Sequence, residues 1–398
     1  MIAFLSILLA ATAGMLCIPL FVFALQVFAG IFGKGKPARL PVGRRPQLAV
    51  LVPAHNEGPG LLLTMHNLMR QLEPGDRLLV VADNCDDDTA RVAASAGADV
   101  VERYDPERPG KGYALDFGIR HLSRDPPEVL IVIDADCRVA AGTIDALTRT
   151  CAASGRPVQA LYLMSAPPGS SINHQVAEFA WRVKNHLRPL GLQALGLPCQ
   201  LMGSGMAFPW GVLSSVNLAD AEVVEDLKLG LDLAAAGKPP LFQPQGLVSS
   251  HFPHTTSGAA TQRRRWEHGH IAMIRRSAPR LVLMALRQGN LPLLALALDL
   301  AVPPVALLAL LVWAMVAVTA LAALVGLSAF PLLITLVALG TFTAAAVVAW
   351  RACGRDVLPA GSLPLIAGYV ARKAGSYPGA VLRRSRLEWT RTERKRKA

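Results

Sequence analysis

Charge is missing from two long stretches of the chain. From Met1 to Gly33 there is none, and from Gln288 to Trp350 Asp299 is the only charged residue. Hydrophobic residues make up 52% of the 398 and charged ones 17%, giving a mean hydropathy of +0.38. About 20 apolar residues cross a bilayer, so uncharged runs of this length read as membrane spans. Cysteine is also scarce. None of the six forms a C-x-x-C pair, and Cys17 lies in an apolar run, which argues against a zinc site or disulfide framework and fits a reducing compartment. No G-x-G-x-x-G follows a strand, which disfavours a dinucleotide-binding dehydrogenase. The acidic stretch beginning at Asp83 has Asp88 where a calcium loop needs glycine, and Ala94 where it needs glutamate. The start of the chain has no basic cluster ahead of its apolar run, so residues 1–32 read as an anchor helix and not a signal peptide.

The positive charge is concentrated beside the apolar runs. Residues 34–45 carry +5 and residues 371–398 carry +8, which leaves −1 for the rest of a chain of net charge +12. Basic flanks of this kind place both segments on the cytoplasmic side, against anionic membrane lipids, with no nucleic acid as partner. The expected organisation is an anchor helix over 1–32, a basic linker over 33–46 and a globular domain over 47–275. An interfacial amphipathic helix over 276–290 follows, then spans over 291–326 and 329–351. A basic cytoplasmic tail with an interfacial segment covers 352–398. Pro303 and Pro304 are expected to break a short entry segment from the span that follows.

Between the apolar blocks, strand-like and helix-like segments alternate. Strands are expected over 48–53, 77–81, 99–101, 129–133 and 158–163. Helices are expected over 61–72, 88–96, 112–122, 142–153, 175–190 and 227–236. This alternation gives an α/β domain with a mainly parallel sheet, whose ligands bind at the carboxyl ends of strands.

The polar groups cluster at those strand ends. Pro53, His55 and Glu57 follow the first strand and Asp83 ends the second, where a carboxylate can accept hydrogen bonds from a base. Lys111 stands between two glycines at a helix start, a setting that favours phosphate, although the Ser/Thr of a Walker A loop is missing. The strand over 129–133 ends in Asp134-Ala-Asp136, two carboxylates suited to a hard cation holding a diphosphate. Gly203, Ser204 and Gly205 form a small-residue loop. Glu225 and Asp226 open a helix, either stabilising its start or serving as general base. Gln262, Arg265 and Trp266 precede the membrane segment, as a basic lipid-facing helix or as a phosphate- and sugar-binding element.

In this order, the motifs Pro-Ala-His-Asn-Glu, Asp83, Gly-Lys-Gly, Asp-Ala-Asp, Glu-Asp and Gln-x-x-Arg-Trp resemble the membrane branch of the family-2 inverting glycosyltransferases. That branch includes cellulose, hyaluronan and poly-N-acetylglucosamine synthases and ceramide glucosyltransferase, and the resemblance covers roughly residues 46–270. It implies a GT-A-type nucleotide-sugar-binding domain flanked by transmembrane helices. Pro53, His55, Glu57, Asp83, Lys111 and Asp134 would hold the donor, a UDP-sugar, and Asp134 and Asp136 would hold Mg²⁺ or Mn²⁺. Asp226, with Glu225, would deprotonate the acceptor hydroxyl. Gly203, Ser204, Gly205, Gln262, Arg265 and Trp266 would face the acceptor and diphosphate. The resemblance also implies an inner- or plasma-membrane enzyme working on a lipid-linked or saccharide acceptor at the cytoplasmic face, in exopolysaccharide or glycolipid assembly, with partner subunits of an export system. Only two spans follow the domain, which argues against a polymer channel within one subunit. A processive β-polysaccharide synthase and a non-catalytic membrane scaffold or transport component are the competing readings.

Overall fold

The computed structural model of the protein describes residues 1–33, 40–213, 225–375 and 377. The basic residues at 34–39 and 378–398, and Val223 and Val224 ahead of Glu225, lie outside these. The strands are β1 (Leu48–Ala54), β2 (Arg77–Asp83), β3 (Asp99–Arg103), β4 (Val129–Val132), β5 (Arg138–Val139), β6 (Val158–Ser165), β7 (Met206–Pro209) and β8 (Leu241–His251). They form one sheet in the order β3-β2-β1-β4-β7-β6-β8-β5. β1 pairs in parallel with β2 and β4, β2 with β3, and β6 with β8. β7 runs antiparallel between β4 and β6, and β5 antiparallel to β8. The sheet is therefore mixed and mostly parallel.

Strand alternation explains its two buried faces. Leu48, Val50 and Val52 of β1, with Val129 and Ile131 of β4, face α2 (Leu62–Met69), α3 (Thr89–Ser95) and α5 (Thr143–Ser154). Ala49, Leu51, Leu130 and Val132 face the other way, onto α4 (Lys111–Leu122) and α9 (Glu225–Ala235). Three strands were not expected. β5 and β7 have two and four residues, too few to show a period, and β7 leads into the single-turn α8 (Trp210–Leu213). In β8 the register against β6 jumps from Gln243 to Leu247, and the intervening Pro244-Gln245-Gly246 hides the strand pattern.

The remaining helices form the membrane-proximal layer. They are α1 (Ile2–Gly33), α6 (Ile172–Arg182), α7 (Arg188–Ala194), α10 (Thr256–Gln288), α11 (Leu291–Ala301), α12 (Val305–Leu324), α13 (Phe330–Cys353) and α14 (Leu363–Ala374). Among the described residues, α1, α12 and α13 are long and apolar enough to cross a membrane. The chain breaks at Val302-Pro303-Pro304, between α11 and α12, where the two prolines predict it. The separate interfacial helix expected over 276–290 is instead the second half of α10, which stops only at Gly289, in left-handed backbone (φ 61°). The expected interfacial segment of the tail contains α14, whose Tyr369 packs against Val176 of α6 and whose Lys373 pairs with Glu267 of α10 at 2.6 Å.

The helix expected over 175–190 runs from Ile172 to Ala194 and contains a π-helical turn, Val183–Leu187, joining α6 to α7. α7 lies directly on α1. A Cβ on Gly191 would sit 2.0 Å from the Gln26 carbonyl oxygen, and one on Gly30 2.3 Å from that of Leu187. Small residues permit such backbone contact between helices. A buried polar trio completes the joint. Arg188 Nη2 pairs with Asp299 Oδ1 at 2.6 Å, Arg188 Nε donates to Gln26 Oε1 at 2.6 Å, and Gln26 Nε2 donates to Asp299 Oδ1 at 2.8 Å. Asp299, isolated in the sequence, is thus partnered from α7 and α1.

Candidate active site

The chain leaves β1 towards β2 and β3 on one side, then returns to place β4 on the other. This reversal opens a crevice at the carboxyl ends of β1 and β4, where open α/β sheets bind ligands. In the crevice, His55 Nδ1 lies 2.7 Å from the Asp83 carbonyl oxygen, and the Glu57 and Gly58 amides both donate to Thr89 Oγ1 at 2.9 Å. Asn56 and Asn84 turn the two loops in left-handed backbone (φ 52° and 50°), a conformation asparagine tolerates. Asp83 is buried and ion-paired with Arg103 at 2.6 Å.

Beyond β4, the amide of Asp134 donates to Ser204 Oγ at 3.0 Å, and Asp136 Oδ2 accepts from Ser250 Oγ at 3.0 Å. Lys111, the first residue of α4, pairs with Asp134 Oδ1 at 2.5 Å and donates to the Gly203 carbonyl at 2.6 Å. Ligand atoms of Asp134, Asp136 and Cys137 lie within 4.8 Å of one another, and this group could hold a metal ion. Burial holds the Cys137 thiol well above its ordinary value, so the two carboxylates are the available anionic ligands. Such hard oxygen donors fit Mg²⁺ or Mn²⁺.

Glu225 and Asp226 stand in the first turn of α9, across the crevice. Gly203 brings the two sides together. Its φ of +96° is open to glycine, and a Cβ there would lie 3.2 Å from Asp226 Oδ2 and 3.8 Å from Lys111 Nζ. Burial, and next the Asp226 carboxylate, push the Glu225 carboxyl up to about 7. Burial also raises Asp134, against the opposing pull of Lys111. Burial pulls the Lys111 ammonium down, but Asp134, Glu225 and Asp226 outweigh it and the net shift is upward.

One cavity of about 360 Å³ joins these groups. Pro53, His55, Glu57, Asp83, Lys111, Asp134, Asp136, Gly203, Glu225, Asp226, Gln262, Arg265 and Trp266 all line it. The last three come from α10. Gln262 is buried with its Oε1 unpartnered, and Trp266 packs on Trp181 at 4.9 Å between ring centroids. Ser204 and Gly205, expected at the acceptor and diphosphate, are not among the residues lining this cavity. Ser204 is fully buried, and together they form the lead into β7, tying the end of β4 to its neighbours from behind.

The cavity also extends further towards the membrane helices than the motifs indicate. Lys184, Arg188, Gln200, His270 and Asp299 line this inner part. Burial, and next Lys184, push His270 down to about 3, and its neutral ring donates Nε2–H to the Leu300 carbonyl at 3.0 Å. None of these residues stands in a recognisable motif. The available signals were Asp299, alone in an apolar run, and the basic residues Lys184 and Arg188 of the helix expected over 175–190.

A profile described as "Glycosyltransferase like family 2" matches residues 46–269. The 4,4'-diaponeurosporenoate glycosyltransferase of Staphylococcus aureus (strain USA300) is 35% identical over 92 residues, 22% of this chain. The matched stretch spans about a quarter (24%) of that relative's length. Among solved structures, the mannosyltransferase PcManGT from Pyrobaculum calidifontis, in complex with GDP-Man and Mn²⁺, superposes with a TM-score of 0.56. It is 18% identical, over 95% of this chain and 100% of that one, a likeness that shows the shared fold.

Proposed function

Because the chain belongs to the glycosyltransferase-like family 2, we propose that it moves a sugar from a nucleotide-diphosphate donor, with inversion at the anomeric carbon, to an acceptor delivered from the membrane. One observation carries this reading. Asp83, Lys111, Asp134 and Asp136 face Glu225, Asp226, Gln262 and Trp266 across a single cavity that continues towards the membrane helices.

In this reading Asp83 accepts a base N–H such as the imide of uracil, which favours a UDP-sugar. Lys111 sits where the leaving diphosphate gathers charge, and Asp134 and Asp136 would hold Mg²⁺ or Mn²⁺. When bound, the cation neutralises the departing diphosphate. Asp226 takes the proton of the acceptor hydroxyl on the opposite side of the anomeric carbon. Trp266, stacked on Trp181, offers a flat apolar wall for a sugar face. Among the described residues three helices can cross a membrane, a number that favours single transfer over threading a polymer through one subunit.

Full-length protein in nanodiscs, given a panel of nucleotide sugars with Mn²⁺ or Mg²⁺, is expected to release nucleoside diphosphate from one of them. Asp136→Ala and Asp226→Asn are each expected to lower transfer by about a thousandfold or more, while Asp226→Asn still binds donor. Loss of donor binding in Asp226→Asn, or release of pyrophosphate in place of the diphosphate, overturns the assignment.

A further inference from the structure

The inner part of the cavity contains a cation that the donor chemistry does not use. Lys184 lies on the π-helical turn between α6 and α7. Its side chain is surrounded by protein yet reached by solvent, because it projects into the cavity. Among the described residues no carboxylate lies within ion-pair distance of it, although Asp226 and Asp299 act on its charge from further off, and the face of Trp181 lies 5.8 Å from Nζ to the ring centroid. Arg188, one turn on, already pairs with Asp299 and Gln26 through Nη2 and Nε. The π turn that carries it is a less stable backbone than α-helix, and such turns recur at functional sites. The turn aims the exposed ammonium of Lys184 into the cavity, where an anion can meet it.

The surroundings define the rest of that ligand. Leu192, Leu201, Leu227 and Leu300 give the inner cavity apolar walls, and α7 and α11, which line it, pack in turn on α1. Neutral His270 adds no competing positive charge. We propose that Lys184 is the recognition cation for an acidic headgroup, a carboxylate or a phosphate, on an amphiphilic acceptor whose apolar chain extends towards the membrane helices. This rests on reading the Asp226 side of the cavity as the acceptor side.

The test uses full-length protein in phosphatidylcholine nanodiscs, without any nucleotide sugar, and follows tryptophan emission, with Trp181→Phe protein identifying the share of the tryptophan beside Lys184. Octyl phosphate, octanoate and octanol are titrated in turn. One or both anions are expected to bind at least about tenfold tighter than octanol, and whichever binds better identifies the headgroup. Lys184→Gln is expected to abolish that preference and Lys184→Arg to keep it. Equal binding of the three compounds, or an anion preference that survives in Lys184→Gln, overturns the proposal. Because no donor is present, Asp136→Ala protein is expected to keep the preference, so a failure of the donor reading and a failure of this one are told apart.

Discussion

Glu225 is a cavity residue whose charge changes near neutrality. Its folded carboxyl titrates at about 7 against an ordinary 4.5, so the folded state holds the proton more tightly than the unfolded chain. Its contribution to stability is therefore greatest below its ordinary value and is lost as pH rises through about 7. The same ionisation adds a negative charge facing Lys111, where the anionic donor must bind. The donor KM is expected to rise roughly tenfold between about pH 6 and about pH 8. In Glu225→Gln it is expected to stay flat over that range, and initial-rate kinetics across pH separate the two. At this scale much of the site was legible, because Asp83, Lys111, Asp134, Asp136 and Asp226 each stand at the end of a strand or the start of a helix. The proton affinity of Glu225 was not, since it arises first from burial, which segments far apart in the chain create, and next from the adjacent Asp226, with Lys111 opposing.

At the scale of elements, the contact between α1 and α7 depends on glycine. Gly191→Ala places a methyl group where the Gln26 carbonyl lies 2.0 Å away, and the two helices must part. Overpacking of this kind costs about 1–3 kcal/mol. It is expected to lower the midpoint of thermal unfolding in nanodiscs and to reduce transfer. The control is Gly340→Ala in α13, where a Cβ would meet nothing within 4 Å and the melt is expected to be unchanged or slightly higher. Uncharged runs located α1, α12 and α13 in the sequence, and the paired prolines located the corner before α12. The π turn and the close approach at Gly191 were not legible. Each is a property of two segments meeting, and the pattern of one segment carries no trace of it.

At the scale of the molecule, the Arg188–Asp299 pair joins α7 to α11, helices more than 90 residues apart in the chain. Asp299→Asn leaves the guanidinium buried without its counter-charge and is expected to cost about 3–5 kcal/mol, whereas the double change Arg188→Met with Asp299→Leu recovers most of that loss. Thermal unfolding of the two single variants and the double variant gives the coupling directly. Asp299 could be seen in the sequence as an anomaly, but its partner lies 111 residues away and no local pattern connects them. The joint also bears on how the protein is made. α1 precedes in the chain every surface it packs on, and α7, α11 and α13 all emerge more than 150 residues after it. During synthesis Gln26 of α1 therefore waits for partners that emerge only with α7 and α11. The sheet can form on the ribosome before the inner cavity has its membrane-side wall. A chain stalled before α11 would hold the donor-side groups of the site and still lack the compartment that receives the acceptor.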